Sequence, residues 1–182
     1  MPTVLVPLAQ GCEELEAVTI IDILRRADIA VTTASLDDKP VRASRNTVLI
    51  ADTTLDKAMT MEFDMIVLPG GLPGADHLRN DTRIIGLLQE MASKGKYTAA
   101  ICAAPMALAA AGLLQHKQAT GYPGVLEKMN LPNVTISQKS VVKDGKIITS
   151  RSPGTAIDFA LELVETLAGK TKRDQVEAGL QR

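Results

Sequence analysis

Short apolar runs alternate along this 182-residue chain with longer segments of helical periodicity, and this alternation limits the possible folds more than any other feature. Runs that are apolar throughout are typical of strands covered by helices on both faces. The predicted strands are Thr3 to Pro7, Ala30 to Ser35, Met65 to Pro69, Tyr97 to Ile101 and Lys146 to Ser150. The predicted helices are Glu13 to Ala27, Asp81 to Lys94, Pro105 to Ala111, Gly154 to Leu167 and about Thr171 to Leu180. The pattern indicates an α/β fold with a doubly wound, mostly parallel sheet.

Two further segments fit as additions to such a sheet. Val41 to Ala51 and Val134 to Asp144 have the pattern of β-hairpins or edge strands, with a turn expected at Asp144-Gly145 after the second. A hydrophobic content of 46% lets a chain of this length bury one sizeable core. Because no repeat and no linker rich in proline, glycine or serine divides the chain, residues 1–182 are expected to form a single domain.

Composition excludes several classes of function. The formal net charge is −1, so nothing indicates binding to nucleic acid or to an anionic membrane. Aromatic residues make up 2% of the chain, which disfavours stacking on nucleobases or on a flavin. No apolar stretch is long enough to span a bilayer and no signal peptide is recognised. Two cysteines are typical of a reducing compartment, and we expect a cytoplasmic protein.

Cys102 is the candidate nucleophile. It follows the apolar run that ends at Ile101 and precedes Pro105, which suits the first turn of a helix. A sharp strand-to-helix turn needs small residues two positions before and after its centre, and Ala100 and Ala104 meet this need. The helix N-terminus is expected to lower the pKa of the thiol. The alternative is a buried, inert cysteine that packs as a small hydrophobic residue.

Two other loops follow predicted strand ends, where ligands bind in open sheets of this type. Glu13, Glu14 and Glu16 open the first helix, and acidic residues are common there for purely structural reasons. Glu16 is the one whose position on the helix allows its carboxyl to turn toward Cys102 and act as a proton shuttle. Gly70-Gly71 forms either a simple turn or exposed amides that meet an oxyanion.

The remaining chemistry-bearing residues give no cofactor signal. The glycine pair lacks the spacing of a dinucleotide fingerprint and the lysine of a P-loop. His77 and His116 lie far from Cys102 in the sequence, and the two histidines and two cysteines show no metal-ligand spacing. We therefore expect neither a cofactor nor a metal ion.

Four motifs resemble the signatures of the DJ-1/ThiJ/PfpI superfamily, in its order and at its spacings. They are Gly11 to Ala17, Val67 to Gly71, Ala99 to Pro105 and Thr149 to Thr155, and the similarity covers almost the whole chain. The match is strongest to the DJ-1 branch, with bacterial and animal members. It implies a flavodoxin-like fold, similar to class I glutamine amidotransferases, and a homodimer.

The resemblance also implies roles for individual residues. Cys102 would be an oxidisable nucleophile, Glu16 the protonated carboxyl bonded to it, and the amides of Gly71 and Ala103 an oxyanion pocket. Arg45 and Arg151 match arginines near the site and the dimer contact. Ala103 stands where the protease-like branch has a histidine, which argues against peptidase activity.

Two positions depart from the animal proteins. Tyr122 replaces a histidine that lines their pocket, and a phenol titrates far above neutral pH, although it can orient a substrate oxygen. Cys12 is additional, and inert packing is favoured over a role as a resolving thiol.

Two functions fit these residues. The first is a cofactor-free enzyme that acts on reactive dicarbonyls, of glyoxalase III or deglycase type, and takes small dicarbonyls or glycated adducts as substrates. The second is a redox sensor or redox-regulated holdase chaperone without significant turnover, in which Cys102 is oxidised to a sulfinate. The sequence does not separate them.

Overall fold

The computed structural model describes residues 1–182 and contains eleven strands and seven helices. The strands are β1 (Thr3–Leu8), β2 (Ala30–Ser35), β3 (Val41–Arg42), β4 (Val48–Leu49), β5 (Thr53–Thr54), β6 (Met65–Leu68), β7 (Tyr97–Ile101), β8 (Lys117–Ala119), β9 (Val134–Ile136), β10 (Val141–Asp144) and β11 (Ile147–Ser150). The helices are α1 (Glu14–Arg26), α2 (Leu55–Ala58), α3 (Gly74–Asn80), α4 (Thr82–Ser93), α5 (Pro105–Ala110), α6 (Ala156–Ala168) and α7 (Lys170–Gly179). No helix has both the length and the apolar character needed to cross a membrane.

Seven strands form the central sheet in the order β10-β11-β7-β6-β1-β2-β5. All neighbouring pairs are parallel except β10 and β11, which are antiparallel. The chain leaves β1 toward β2 and later returns to β6 on the other side of β1, so the strand order reverses between β1 and β6. The predicted doubly wound, mostly parallel α/β fold is confirmed, and the reversal places a ligand crevice at the carboxyl ends of β1 and β6.

The sheet is covered on both faces because successive side chains of each buried strand point to opposite sides. In β1, Val4 and Val6 pack into one hydrophobic cluster and Leu5 packs into the other. The first cluster is completed by α1 and α6, for example through Ile20 and Phe159. The second is completed by α3, α4 and α5. This two-sided burial explains the continuous apolar runs of the sequence.

The predicted strands and helices are confirmed to within about two residues at their ends, and Val41 to Ala51 contains the antiparallel pair β3–β4. Val134 to Asp144 is not a hairpin. Its first part, β9, pairs in parallel with β8, and its second part, β10, pairs with β11 across the turn at Asp144-Gly145. The segment is therefore divided between two sheets, and only its second part is an edge addition to the central one.

Candidate active site

Cys102 lies in a strained turn directly after β7. Its φ of 63° is in the left-handed region, which residues with a side chain rarely occupy. The turn is held by the N–H of Cys102, which donates to the carbonyl oxygen of Ser150 at 3.0 Å, and by the N–H of Tyr122, which donates to the carbonyl oxygen of Cys102 at 2.7 Å. Ala100 and Ala104 on either side are fully buried. The predicted tight strand-to-helix turn is confirmed, and 7% of Cys102 remains exposed.

Glu16, in the first turn of α1, is fully buried and faces Cys102. Its Oε2 accepts a hydrogen bond from the N–H of Gly70 at 2.8 Å. Its Oε1 is buried without a hydrogen-bond partner, and the Cys102 thiol lies close enough to the carboxyl to act on its pKa. Of the three glutamates in this loop, Glu16 is thus the one that turns inward.

Glu13 and Glu14 bind a different part of the chain. The hydroxyl of Ser44 donates to Glu13 at 2.7 Å and to Glu14 at 3.1 Å. The N–H groups of Arg45 and Thr47 donate to Glu14 at 3.0 and 3.3 Å. Although burial acts to raise it, the pKa of Glu14 is lowered to about 2 by hydrogen bonds from its own N–H and from these groups. These glutamates therefore tie the turn between β3 and β4 to the start of α1, a role that sequence reasoning missed because Ser44 is distant in the chain.

The glycine pair after β6 is required by close packing rather than by a simple turn. A Cβ on Gly70 would lie 2.7 Å from both the Cβ of Cys102 and Oε2 of Glu16. Gly71 has a φ of 87°, and a Cβ there would lie 2.4 Å from the backbone nitrogen of Glu13. The N–H of Gly71 and the N–H of Ala103 both donate toward the Cys102 thiol. Two backbone donors thus meet at the sulfur.

The proton affinities of Cys102 and Glu16 are coupled. Burial raises the pKa of Glu16 from 4.5 to about 7, although the hydrogen bonds from Cys102 and Gly70 oppose this shift. Burial, and then the charge of Glu16, raise the pKa of Cys102 from 9.0 to about 12. The expected lowering of the Cys102 pKa is therefore wrong. The N–H groups of Gly71 and Ala103 do lower it, but desolvation and the neighbouring carboxylate outweigh them.

The other predicted site residues, Arg45, Arg151 and Tyr122, lie on three separate loops. The guanidinium of Arg45 donates to the carbonyl oxygen of Ser44 at 3.3 Å, and that of Arg151 donates to the carbonyl oxygen of Gln138 at 2.7 Å. Neither guanidinium hydrogen-bonds to Cys102 or Glu16. Tyr122 contacts Cys102 through its backbone, and half of its surface is exposed.

Cys12 is fully buried in the hydrophobic cluster beneath α1. Burial, followed by the charge of Glu14, raises the pKa of Cys12 to about 12. Both cysteines are free thiols. No group of three or more His, Cys, Asp and Glu side chains is placed to hold a metal ion.

Comparison with known proteins bears on this geometry. Residues 2–166 match the family model described as DJ-1/PfpI family. The chain is 45% identical over 178 residues to Protein DJ-1 homolog A of Arabidopsis thaliana; the match covers 97% of this chain and 45% of that protein. It is 33% identical over 167 residues to the glutathione-independent glyoxalase DJR-1.2 of Caenorhabditis elegans, covering 92% of this chain and 89% of that protein. The crystal structure of Drosophila melanogaster DJ-1beta superposes with a TM-score of 0.95 at 43% identity, covering 99% of this chain and 97% of that one.

Proposed function

Because this chain belongs to the DJ-1/PfpI family, we propose that it is a cofactor-free enzyme that converts reactive dicarbonyls through a Cys102 thiolate. The observation that carries the proposal is the pairing of Cys102 with the buried carboxyl of Glu16 under two converging N–H groups. A nucleophile, a proton carrier and donors for a developing negative charge are the three parts that addition to a carbonyl needs. The Caenorhabditis elegans relative named as a glyoxalase supports the choice of substrate.

The raised pKa values mean that Cys102 rests as the thiol near pH 7, so in the proposed mechanism Glu16 takes up the thiol proton as the reaction begins. Near pH 7 the Glu16 carboxyl exchanges its proton readily, because its pKa is about 7. Moving a proton from the Cys102 sulfur to an ionised Glu16 creates a thiolate without adding charge to the buried site. The neutral carboxyl then no longer repels the thiolate, and the N–H groups of Gly71 and Ala103 stabilise it. Glu16 therefore generates the nucleophile and stores its proton.

The reaction with methylglyoxal begins as the thiolate forms a bond to the aldehyde carbon. The carbonyl electron pair moves to oxygen, the alkoxide accepts hydrogen bonds from the Gly71 and Ala103 amides, and Glu16 returns the proton to it. The hydrogen on the first carbon then moves as a proton to the second carbon through an enediol, which leaves a thioester. Water cleaves the thioester and restores the thiol. The sum is methylglyoxal plus water giving lactate, so no external oxidant or reductant is consumed.

The test is steady-state turnover of methylglyoxal by the wild type, Cys102→Ser, Glu16→Gln and Glu16→Asp, with free dicarbonyl and amine adduct measured separately. Glutamine keeps the length of the side chain but cannot release a carboxylic proton, and aspartate is one methylene shorter. A positional error of about 1 Å can reduce a rate on the order of 100-fold. We expect kcat/KM to fall by about this factor or more in both Glu16 variants. Iodoacetamide should alkylate Cys102 more slowly in Glu16→Gln than in the wild type, because glutamine cannot accept the thiol proton.

Near-wild-type turnover in Glu16→Gln would contradict this mechanism. In that case the site would fit a redox sensor or holdase chaperone better, because oxidation of the sulfur needs no proton shuttle to a substrate. A difference between the free dicarbonyl and the adduct in the same assay distinguishes glyoxalase from deglycase activity.

We further propose that the protein works as a homodimer. Leu15 and Val18 on α1 are 51% and 47% exposed, and Val48 and Ile50 at β4 are 50% and 83% exposed. Hydrogen bonds from the N–H groups of Arg45 and Thr47 to Glu14 hold the turn between β3 and β4 against the start of α1. We therefore expect these four apolar side chains to share one region of the surface. Covering such a patch with a second copy removes it from water. Light scattering at micromolar concentration should give twice the 19.4 kDa mass of one chain. The monomer mass would rule the dimer out.

A further inference from the structure

Two loops beside Cys102 each present an exposed apolar pair of residues. Leu72-Pro73 follows the glycine pair after β6, and Tyr122-Pro123 follows β8. Leu72 is 56% exposed and Tyr122 is 50% exposed, and both prolines are also exposed. Single exposed apolar residues are common, but four on two loops next to one reactive side chain are typical of a ligand-binding surface. We refer to these four residues as the apolar rim.

Both loops are fixed to the backbone that surrounds the thiol. Leu72 follows Gly71, whose N–H donates toward the Cys102 sulfur, and consecutive Cα atoms are about 3.8 Å apart. The N–H of Tyr122 donates to the carbonyl oxygen of Cys102 at 2.7 Å. Both loops of the rim are therefore joined directly to the backbone around Cys102.

Packing also limits the movement of these loops. A Cβ on Gly11 would lie 2.4 Å from Cδ of Pro73, and a Cβ on Gly121 would lie 3.1 Å from the Cys102 carbonyl oxygen. Each loop thus approaches neighbouring backbone too closely to shift freely. A rigid apolar surface can bind a substituent without first being ordered, which lowers the entropic cost of binding.

We propose that the apolar rim determines substrate specificity by favouring dicarbonyls with an apolar, above all aromatic, substituent beside the aldehyde. This inference rests on the proposed dicarbonyl activity. None of the four rim side chains is charged, and the Tyr122 hydroxyl makes no hydrogen bond within the protein, so it is free to meet a polar edge of the ligand. Removing apolar surface from water is favourable in proportion to its area, so a phenyl group gains more at the rim than a methyl group does.

The effect of the rim on specificity is measured as a ratio of two substrates. We compare kcat/KM for phenylglyoxal with kcat/KM for methylglyoxal in the wild type, Leu72→Ser and Tyr122→Ser. Removing apolar contact for one substituent of this size changes discrimination on the order of 10-fold. We expect the phenylglyoxal to methylglyoxal ratio to fall by about this factor in each rim variant.

Met61→Ser is the matched control. Met61 is 50% exposed, like Tyr122, but it precedes β6 and so lies at the amino end of the sheet, away from Cys102. The ratio of kcat/KM for phenylglyoxal to kcat/KM for methylglyoxal in Met61→Ser should equal that of the wild type. Leu72→Asn and Tyr122→His provide second rim variants, so that a folding defect in one serine variant does not decide the result.

A second measurement tests the apolar rim independently of dicarbonyl turnover. The rates at which N-phenylmaleimide and N-(2-hydroxyethyl)maleimide alkylate Cys102 are followed by mass spectrometry in the same variants. A fall in the phenyl to hydroxyethyl ratio in the rim variants supports the apolar rim even when no variant turns over a dicarbonyl, an outcome that would overturn the proposed function alone. Unchanged ratios in both assays overturn the rim. Conversion of the rim variants from dimer to monomer with unchanged ratios also overturns it, since a second copy then covers these residues.

Discussion

The two cysteines provide a comparison within one molecule. Cys12 and Cys102 both belong to the same hydrophobic cluster, and burial raises the pKa of each to about 12. They differ in their surroundings. Cys102 is slightly exposed, lies at a φ of 63°, and shares its site with the Glu16 carboxyl and two N–H donors, whereas Cys12 is fully enclosed. Thiol acidity alone therefore does not distinguish the proposed nucleophile, Cys102, from Cys12. The neighbouring carboxyl of Glu16, whose pKa is raised to about 7, does.

The largest expected effect separates the two thiols directly. Replacing Cys102 by serine should reduce kcat/KM for methylglyoxal by at least about 1,000-fold, because an alcohol at this position is a far weaker nucleophile. Replacing Cys12 by alanine should change turnover by less than about 3-fold and destabilise the fold by about 1 kcal/mol through a small cavity. Turnover and denaturant unfolding of both variants provide the measurement. A loss of activity in Cys12→Ala comparable to that in Cys102→Ser would contradict the comparison.

Two glycines test whether the close packing around Cys102 is required. In Gly70→Ala the new methyl group would meet Cys102 and Glu16 at 2.7 Å, so we expect turnover to fall on the order of 100-fold and stability to fall by about 1–3 kcal/mol. Gly86 is the control, because it lies in α4 and a Cβ added there would have no neighbouring atom within 4 Å. Gly86→Ala should keep full activity and gain up to about 1 kcal/mol. Unchanged turnover in Gly70→Ala would show that Cys102 and Glu16 can be displaced without loss of activity.

The pH dependence of stability tests the raised pKa of Glu16, the carboxyl that lies beside Cys102 and not beside Cys12. The pKa of Glu16 is raised in the folded protein from 4.5 to about 7, so its protonated form stabilises the fold. This contribution is complete below about pH 4.5 and is lost as pH rises through 7, a change of about 3 kcal/mol. The free energy of unfolding of the wild type minus that of Glu16→Gln should fall by this amount between pH 4 and 8.

Other titrating groups cancel in that difference, because both proteins carry them. Urea unfolding at a series of pH values, at one protein concentration, provides the data. If the two stability profiles run parallel across this range, Glu16 does not carry a raised pKa and the proposed proton transfer loses its basis.

Much of the fold was predictable because it follows from local pattern. The strand runs are apolar throughout because both faces of the sheet are covered, and this signal does not depend on distant contacts. The short elements β5 and α2 were missed, as were the helix α3 and the strand β8. Helix α3 begins at Gly74 beside a proline, and β8, Lys117–Ala119, contains no β-branched residue, so neither has a clear local signal. For Val134 to Asp144 the hairpin alternative was wrong and the edge-strand alternative holds only for β10, because the two halves pair with strands of different sheets.

The candidate site was predictable in its residue types but not in its electrostatics. The small residues around Cys102 and the glycine pair are readable from the sequence, as is the position of Glu16 on its helix. The direction of the Cys102 pKa shift was not, because desolvation and the approach of the Glu16 carboxyl depend on how three separate loops pack. The same holds for Ser44, which meets Glu13 and Glu14 only through the tertiary fold.

The smallest expected effect is a difference in oxidation rate between the two thiols. A thiolate reacts with hydrogen peroxide to give a sulfenate and water, and a second peroxide gives the sulfinate. Cys102 is 7% exposed and lies beside Glu16, the proposed acceptor of its proton, whereas Cys12 is fully buried and has no such acceptor. We therefore expect Cys102 to be oxidised at least about 10-fold faster than Cys12, since susceptibility follows thiolate character and exposure. Mass spectrometry of peptides after timed peroxide treatment measures both rates. Glu16→Gln is the control, in which the oxidation rate at Cys102 should fall and the rate at Cys12 should not change. Oxidation of Cys12 before Cys102 would show that the pairing with Glu16 does not control the reactivity of the sulfur.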